Sequence, residues 1–119
     1  MKTYRELIVW QKSMKLVTAT YKVSRLFPEY EKFGLSSQIQ RCIVSVPSNI
    51  AEGYGRNSLN DYIRFLNIAT GSLYEFQTQI EIAYNLEYID KDFFDKIFED
   101  SREIERMMSS LIRNLKQKR

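Results

Sequence analysis

The sequence predicts an all-α protein, an antiparallel up-down-up-down four-helix bundle, and three observations lead there. Apolar residues recur at helical spacing along nearly the whole chain, and no stretch alternates as a half-buried strand would. Proline and glycine are scarce, at two and four of 119 residues. The four amphipathic stretches are joined by short links, which lay consecutive helices side by side and antiparallel. A chain of this length makes one domain, residues 1–119, and 44% hydrophobic residues suffice for a core.

The first helix is expected over about residues 7–26. Leu7, Trp10, Met14, Val17 and Tyr21 follow a 3-4-3-4 spacing and form its apolar stripe, and Phe27-Pro28 ends it, because a residue before proline is pushed out of the helical region. The second spans about 35–53. Ser36 or Ser37 is the expected cap, Ile39, Cys42, Ile43, Val46 and Ile50 the apolar side, and Gly53 and Gly55 suit its termination. The third spans about 58–86, capped by Asn57 or Ser58 with Asp61 in its first turn. Its stripe is the most regular in the chain: Leu59, Tyr62, Leu66, Ala69, Leu73, Phe76, Ile80, Ala83. The fourth spans about 91–116, capped by Asp90. Phe94, Ile97, Ile104, Met108, Leu111 and Leu115 line it, Ser101 interrupts the stripe, and Lys116 to Arg119 should fray. Ile8, Ala19, Ile63, Tyr84 and Phe98 lie beside the main stripes, a sign of a second buried face against another subunit.

Residues 41–56 break local rules most often. Pro47 sits inside the predicted second helix, where it removes a backbone hydrogen bond at a cost of roughly 3 kcal/mol. Ser45, Ser48, Asn49 and Glu52 occupy positions that an ordinary core helix would make apolar. Ser45, Asn49 and Glu52 share a helix face. Asn49 is expected to bond the carbonyl freed by Pro47 or a residue of the third helix, with partner contact as the other reading. Glu52 and Glu75 are expected in hydrogen-bond or ion-pair networks that fix helix register, Glu52 with Arg41 or Arg56, with a ligand site as the alternative.

Ser45-Val-Pro-Ser-Asn-Ile-Ala-Glu-Gly53, followed by Gly55-Arg56, resembles the signature of the small four-helix-bundle proteins encoded in intervening sequences of bacterial 23S rRNA genes. Leu7-Ile-Val-Trp-Gln-Lys12 (which contains Trp10), Gly34-Leu-Ser-Ser-Gln38 and Phe65-Leu-Asn-Ile-Ala-Thr-Gly-Ser-Leu-Tyr-Glu75 match the same pattern in the same order. That family is similar to the accessory variability determinant of diversity-generating retroelements. The resemblance implies a four-helix bundle, a ring-shaped homopentamer and a role in binding RNA or DNA. It also implies, as the alternative, a protein-interaction scaffold for a partner such as a reverse transcriptase.

Charge adds to this. The net charge of +3 conceals a segregated distribution. Residues 1–56 hold nine Lys/Arg against four Asp/Glu, residues 57–105 four against eleven, and residues 106–119 five against none. Surfaces of opposite sign are expected, one for a polyanion or for recognition between subunits, with plain solvated helix faces as the bland alternative. Lys12, Lys15, Lys22, Arg25, Arg41, Arg56, Arg113 and Lys116 are the candidate nucleic-acid contacts, joined at the tail by Lys118 and Arg119. Lys15, Lys22 and Arg25 fall along one side of the first helix. Tyr4, Tyr30, Tyr54 and Tyr88, near helix ends, would supply stacking or simply pack. No base-reading motif is visible, so binding driven by shape and charge is expected.

Catalysis is not expected. The chain has no histidine, hence neither the commonest general base nor the commonest metal ligand, and no metal or cofactor is expected. Cys42, the single cysteine, lies on an apolar stripe. No apolar run reaches the roughly 18–20 residues of a membrane span, and Met1 to Glu6 do not resemble a signal peptide. A cytoplasmic protein with no membrane partner is the expectation.

Overall fold

Helix propensity and apolar periodicity produce four helices, and the computed structural model describes them within residues 3–119. They are α1 (Ile8–Ser24), α2 (Leu35–Tyr54), α3 (Leu59–Asn85) and α4 (Lys91–Lys118), with single 3-10 turns at Tyr4–Glu6 and Glu29–Glu31. Each helix packs on its chain neighbours, α1 also closes against α4, and among the described residues no diagonal pair of helices brings its backbones close together. The result is a square antiparallel bundle of 46 × 25 × 20 Å. Among the described residues no helix is long and apolar enough to cross a membrane.

The stripes of α2 and α3 meet in the core as their spacing predicts. Ile39, Ile43, Val46, Ile50, Leu66, Ala69, Leu73, Phe76, Ile80 and Ala83 are all fully buried. Each large apolar side chain removed from water contributes roughly 1.5–3 kcal/mol. Ile63 belongs to this core, not to a second face. Ser101 continues the α4 stripe, fully buried, its hydroxyl donating to the Phe98 carbonyl at 2.6 Å.

The first helix departs from expectation. Its core face is Val9, Ser13, Leu16, Thr20 and Ser24, whereas Met14 is exposed and Trp10, Val17 and Tyr21 are half-buried. Small hydroxylic residues can face the core because each satisfies itself within its own helix. Ser13 Oγ donates to the Val9 carbonyl at 2.7 Å and Thr20 Oγ1 to that of Leu16 at 2.8 Å. Periodicity counted on large apolar residues therefore selected the edge of the core side: Leu7, Trp10 and Val17 pack against the core, and Met14 does not.

Several ends also differ. Neither Ser36 nor Ser37 caps α2; Glu31 Oε1 accepts from the Leu35 N–H at 3.0 Å and serves that end from outside the helix. Gly53 does not terminate α2. It lies buried inside the last turn, where an added Cβ would come within 2.7 Å of Phe65 Cβ, so glycine is what lets α2 and α3 approach here. Gly55 is the C-cap. Ser58 and Asp90 cap α3 and α4, accepting from Asp61 N–H and Phe93 N–H. The tail is helical to Lys118 rather than frayed, and Arg119 donates to Asn60 Oδ1 at 2.9 Å.

Pro47 is buried within α2, whose helix runs on unbroken to Tyr54. Asn49 does not answer the carbonyl that Pro47 leaves free, which is that of Ile43; its amide donates to the carbonyl and the hydroxyl of Ser45, at 2.8 and 2.9 Å. Ser45 Oγ in turn pairs with Ser72 Oγ on α3 at 2.8 Å, and Cys42 Sγ donates to the Ser72 carbonyl at 2.9 Å. The rule-breaking polar residues thus form a short ladder that fixes the register of α2 against α3.

Candidate nucleic-acid interface

Antiparallel packing collects helix ends into two poles. At one pole lie the start of α1, the end of α2, the start of α3 and the end of α4; a groove lined by Leu7, Val9, Met107 and Asn114 and the Arg119–Asn60 bond mark the convergence. This pole is basic. Arg5, Arg56, Arg64, Arg113, Lys116, Lys118 and Arg119 gather there against Glu6, Glu52 and Asp61. It is also aromatic. Arg56 and Arg64 each lie 4.6 Å from the centre of the Phe65 ring, and Arg5 lies 5.4 Å from that of Trp10. Tyr54 meets Tyr62 edge-on at 5.9 Å, and Tyr4 meets Trp10 at 5.1 Å. Burial, with the neighbouring Tyr54 adding to it, pushes the Tyr62 hydroxyl up to about 12, so it stays neutral.

The sequence-predicted cations do not form one surface. Arg56, Arg113 and Lys116 reach the basic pole. Lys15, Lys22 and Arg25 are exposed on the outward side of α1, which leads away from that pole. Lys12 is engaged with Glu103 of α4 at 3.1 Å. Arg41 stands apart, in a shallow groove on the α2–α3 side with Cys42, Ser45, Ser72 and Glu75. Glu52 forms no buried pair; it is exposed and bonded to Arg56 one turn on, so it partly offsets the pole's charge. Glu75 is exposed beside Cys42. Burial chiefly, then this carboxylate, pushes the Cys42 thiol up, and an inert neutral thiol results. Arg5 and Arg64 were missed by sequence reading. The signal for them was the ring next in space, Trp10 for Arg5 and Phe65 for Arg64, and only the fold shows the first pairing.

Chemically, the basic pole offers cations that phosphates can approach, braced by rings that are buried (Phe65) or half-buried (Tyr4, Trp10, Tyr54 and Tyr62). Among the described residues no group of three or more Asp, Glu, Cys or His is placed to hold a metal ion.

The family model described as "23S rRNA-intervening sequence protein" matches residues 5–110. The chain belongs to this family. A crystal structure from the same group, a protein of unknown function of the S23 ribosomal protein family from Bacteroides thetaiotaomicron, superposes with a TM-score of 0.83 at 31% identity. The match covers 89% of this chain and 96% of that one. No curated protein matches the chain. In this 23S rRNA-intervening sequence protein the signature runs through the register ladder and up to Arg56, so its C-terminal end reaches the basic pole while its middle holds α2 on α3.

Proposed function

We propose that this 23S rRNA-intervening sequence protein is a non-enzymatic, cytoplasmic nucleic-acid-binding bundle that engages RNA or DNA at its basic pole without reading sequence. The convergence of cations from four separate segments, interleaved with Trp10, Phe65, Tyr54 and Tyr62, supports this reading above all. Phosphate contacts supply the affinity, and the outward cations Lys15, Lys22 and Arg25 extend the track along α1. We further propose that the protein acts as a homo-oligomer, a pentamer by family resemblance, which multiplies a weak contact by repetition. Ile68 and Ile82, 43% and 41% exposed on the outward side of α3, support a subunit contact.

The test is an anisotropy titration with single-stranded and duplex RNA and DNA at about 50 and 200 mM salt, with particle mass read by light scattering on the same samples. Binding should weaken steeply between the two salts, with a log–log slope of about 0.7–0.9 per phosphate engaged. Paired reversal Arg113→Glu/Lys116→Glu should lower both affinity and slope more than Lys15→Glu/Lys22→Glu. Absence of binding to every polymer at the lower salt would defeat the proposal.

A further inference from the structure

The pole opposite the basic one has a different chemistry, and it leaves large apolar side chains in water. Phe33 is 90% exposed, Leu26 and Tyr30 78% each, and Leu86 51%. The α1–α2 connection carries the first three and the α3–α4 turn carries Leu86. The Tyr30 and Tyr88 hydroxyls, 3.2 Å apart, and the Phe27–Tyr88 ring contact at 5.3 Å bring the two connections together. Soluble proteins rarely gather such residues on one surface unless something covers them. Beside them the α3–α4 turn forms an open groove of about 580 Å³, lined by Tyr84, Glu87, Tyr88, Ile89 and Asp90 among others. It presents the carboxylate of Glu87 and that of Asp90, one oxygen of which caps α4, with two aromatic rings, and is lined by no lysine or arginine. Of the nearby cations, Lys32 lies 5.6 Å from the centre of its neighbour Phe33's own ring, Lys91 is paired with Asp95 at 2.6 Å, and Arg25 is exposed beside Leu26 but lines the α1–α2 groove rather than this one.

We propose that this pole is a docking surface for a basic, apolar segment of another protein. An arginine or lysine of that segment enters the Glu87–Asp90 groove against Tyr84, and its flanking apolar residues cover Leu26, Tyr30, Phe33 and Leu86. Charge disfavours nucleic acid in the groove itself, which is lined by two carboxylates and by no lysine or arginine. A second copy docking head to tail is also a poorer occupant. Its basic pole has the right sign, but among the described residues there only Ile8 is a large apolar side chain left exposed, too little to cover four. The groove contains none of the basic-pole cations, and only Arg25, the far end of the α1 track, adjoins the apolar patch at Leu26.

The experiment is a selection from a random peptide library displayed on phage against the full chain, followed by anisotropy with the enriched peptides. Enriched peptides should carry Arg or Lys flanked by apolar residues. Phe33→Ser and Glu87→Lys, both at exposed positions, should each weaken them about tenfold or more while the far-ultraviolet spectrum and RNA affinity stay unchanged. Failure to enrich any peptide would overturn the proposal, as would enrichment of acidic peptides or equal binding by both variants. So would a wild-type assembly that Phe33→Ser dissolves to monomers, which would assign the pole to a second copy.

Discussion

The two poles of this bundle are closed by different means. At the basic pole the backbones of α2 and α3 close directly, through Gly53 against Tyr62 and Phe65. At the opposite pole a relay of side chains does the work. Tyr88 donates to Glu31 Oε2 at 2.7 Å, Glu31 Oε1 accepts from the Leu35 N–H at 3.0 Å, and the Tyr30 hydroxyl joins at 3.2 Å. Direct backbone approach is rigid and insensitive to pH, and it provides a fixed platform for Arg56, Arg64 and Phe65. A relay of ionisable groups at a loop-rich end is softer and titrates. A surface that binds by charge profits from the first, whereas one that adapts to a partner segment tolerates the second.

The largest effect is expected at Gly53. Gly53→Ala places a methyl 2.7 Å from Phe65 Cβ and 3.2 Å from the Tyr62 carbonyl oxygen, so α2 and α3 must separate. A loss of about 1–3 kcal/mol is expected for such overpacking, read as a lower midpoint in urea, together with weakened RNA binding at that pole. The control is Gly71→Ala, on the exposed side of α3, where an added Cβ meets nothing within 4 Å. There the same substitution should stabilise by roughly 0.5–1 kcal/mol through helix propensity. If both variants shift the same way, close approach is not what Gly53 provides.

The caps give a smaller, paired comparison. Ser58 starts α3 at the basic pole and Asp90 starts α4 at the other. Replacing either by Ala should remove about 1 kcal/mol. Asp90→Ala should lose somewhat more at low salt, because a full negative charge sits on the helix N-terminus, and that excess should shrink as salt rises. Equal losses at every salt would show that the dipole adds nothing here.

These positions also show what could be read from sequence. The stripes of α2 and α3 were legible because the chain marks their core sides with large apolar residues at regular spacing, and that of α4 in part: Ile97, Ile104, Met108 and Leu115 are buried, but so are Ser101 and Ile112, while Phe94 and Leu111 are half-buried. The first helix was misread because its core side is marked by Ser13, Thr20 and Ser24, whose hydroxyls are satisfied by carbonyls of the same helix. Gly53 read as a stop because a glycine near a helix end usually is one; its true role depends on Phe65, twelve residues away. The basic pole was half legible. A count along the chain finds the basic tail, but only antiparallel packing sets Arg113 and Lys116 beside Arg56 and Arg64 and routes Lys22 and Arg25 toward the opposite end.

The smallest expected effect separates the poles by pH. Glu31 is held below the ordinary carboxylate range first by the Leu35 N–H and then by the Tyr88 hydroxyl. A carboxyl depressed in the folded state contributes stability that is present above its unfolded value of about 4.5 and is lost as pH falls through the folded value. Tyr88 is shifted the other way, up from 10, first by its bond with Tyr30 and then by its bond to Glu31. Its contribution is therefore complete below pH 10 and lost above it. Between these limits the relay is intact, so urea midpoints of wild type should be level from about pH 6 to 9 and fall on the acid side below about pH 4.5. Glu31→Gln should make the acid limb slightly shallower, since the group is too exposed for a large effect, without changing salt-dependent RNA binding at the other end of a 46 Å molecule. An acid limb identical in Glu31→Gln and wild type would assign the titration to other carboxylates and remove the relay as the distinguishing feature of that pole.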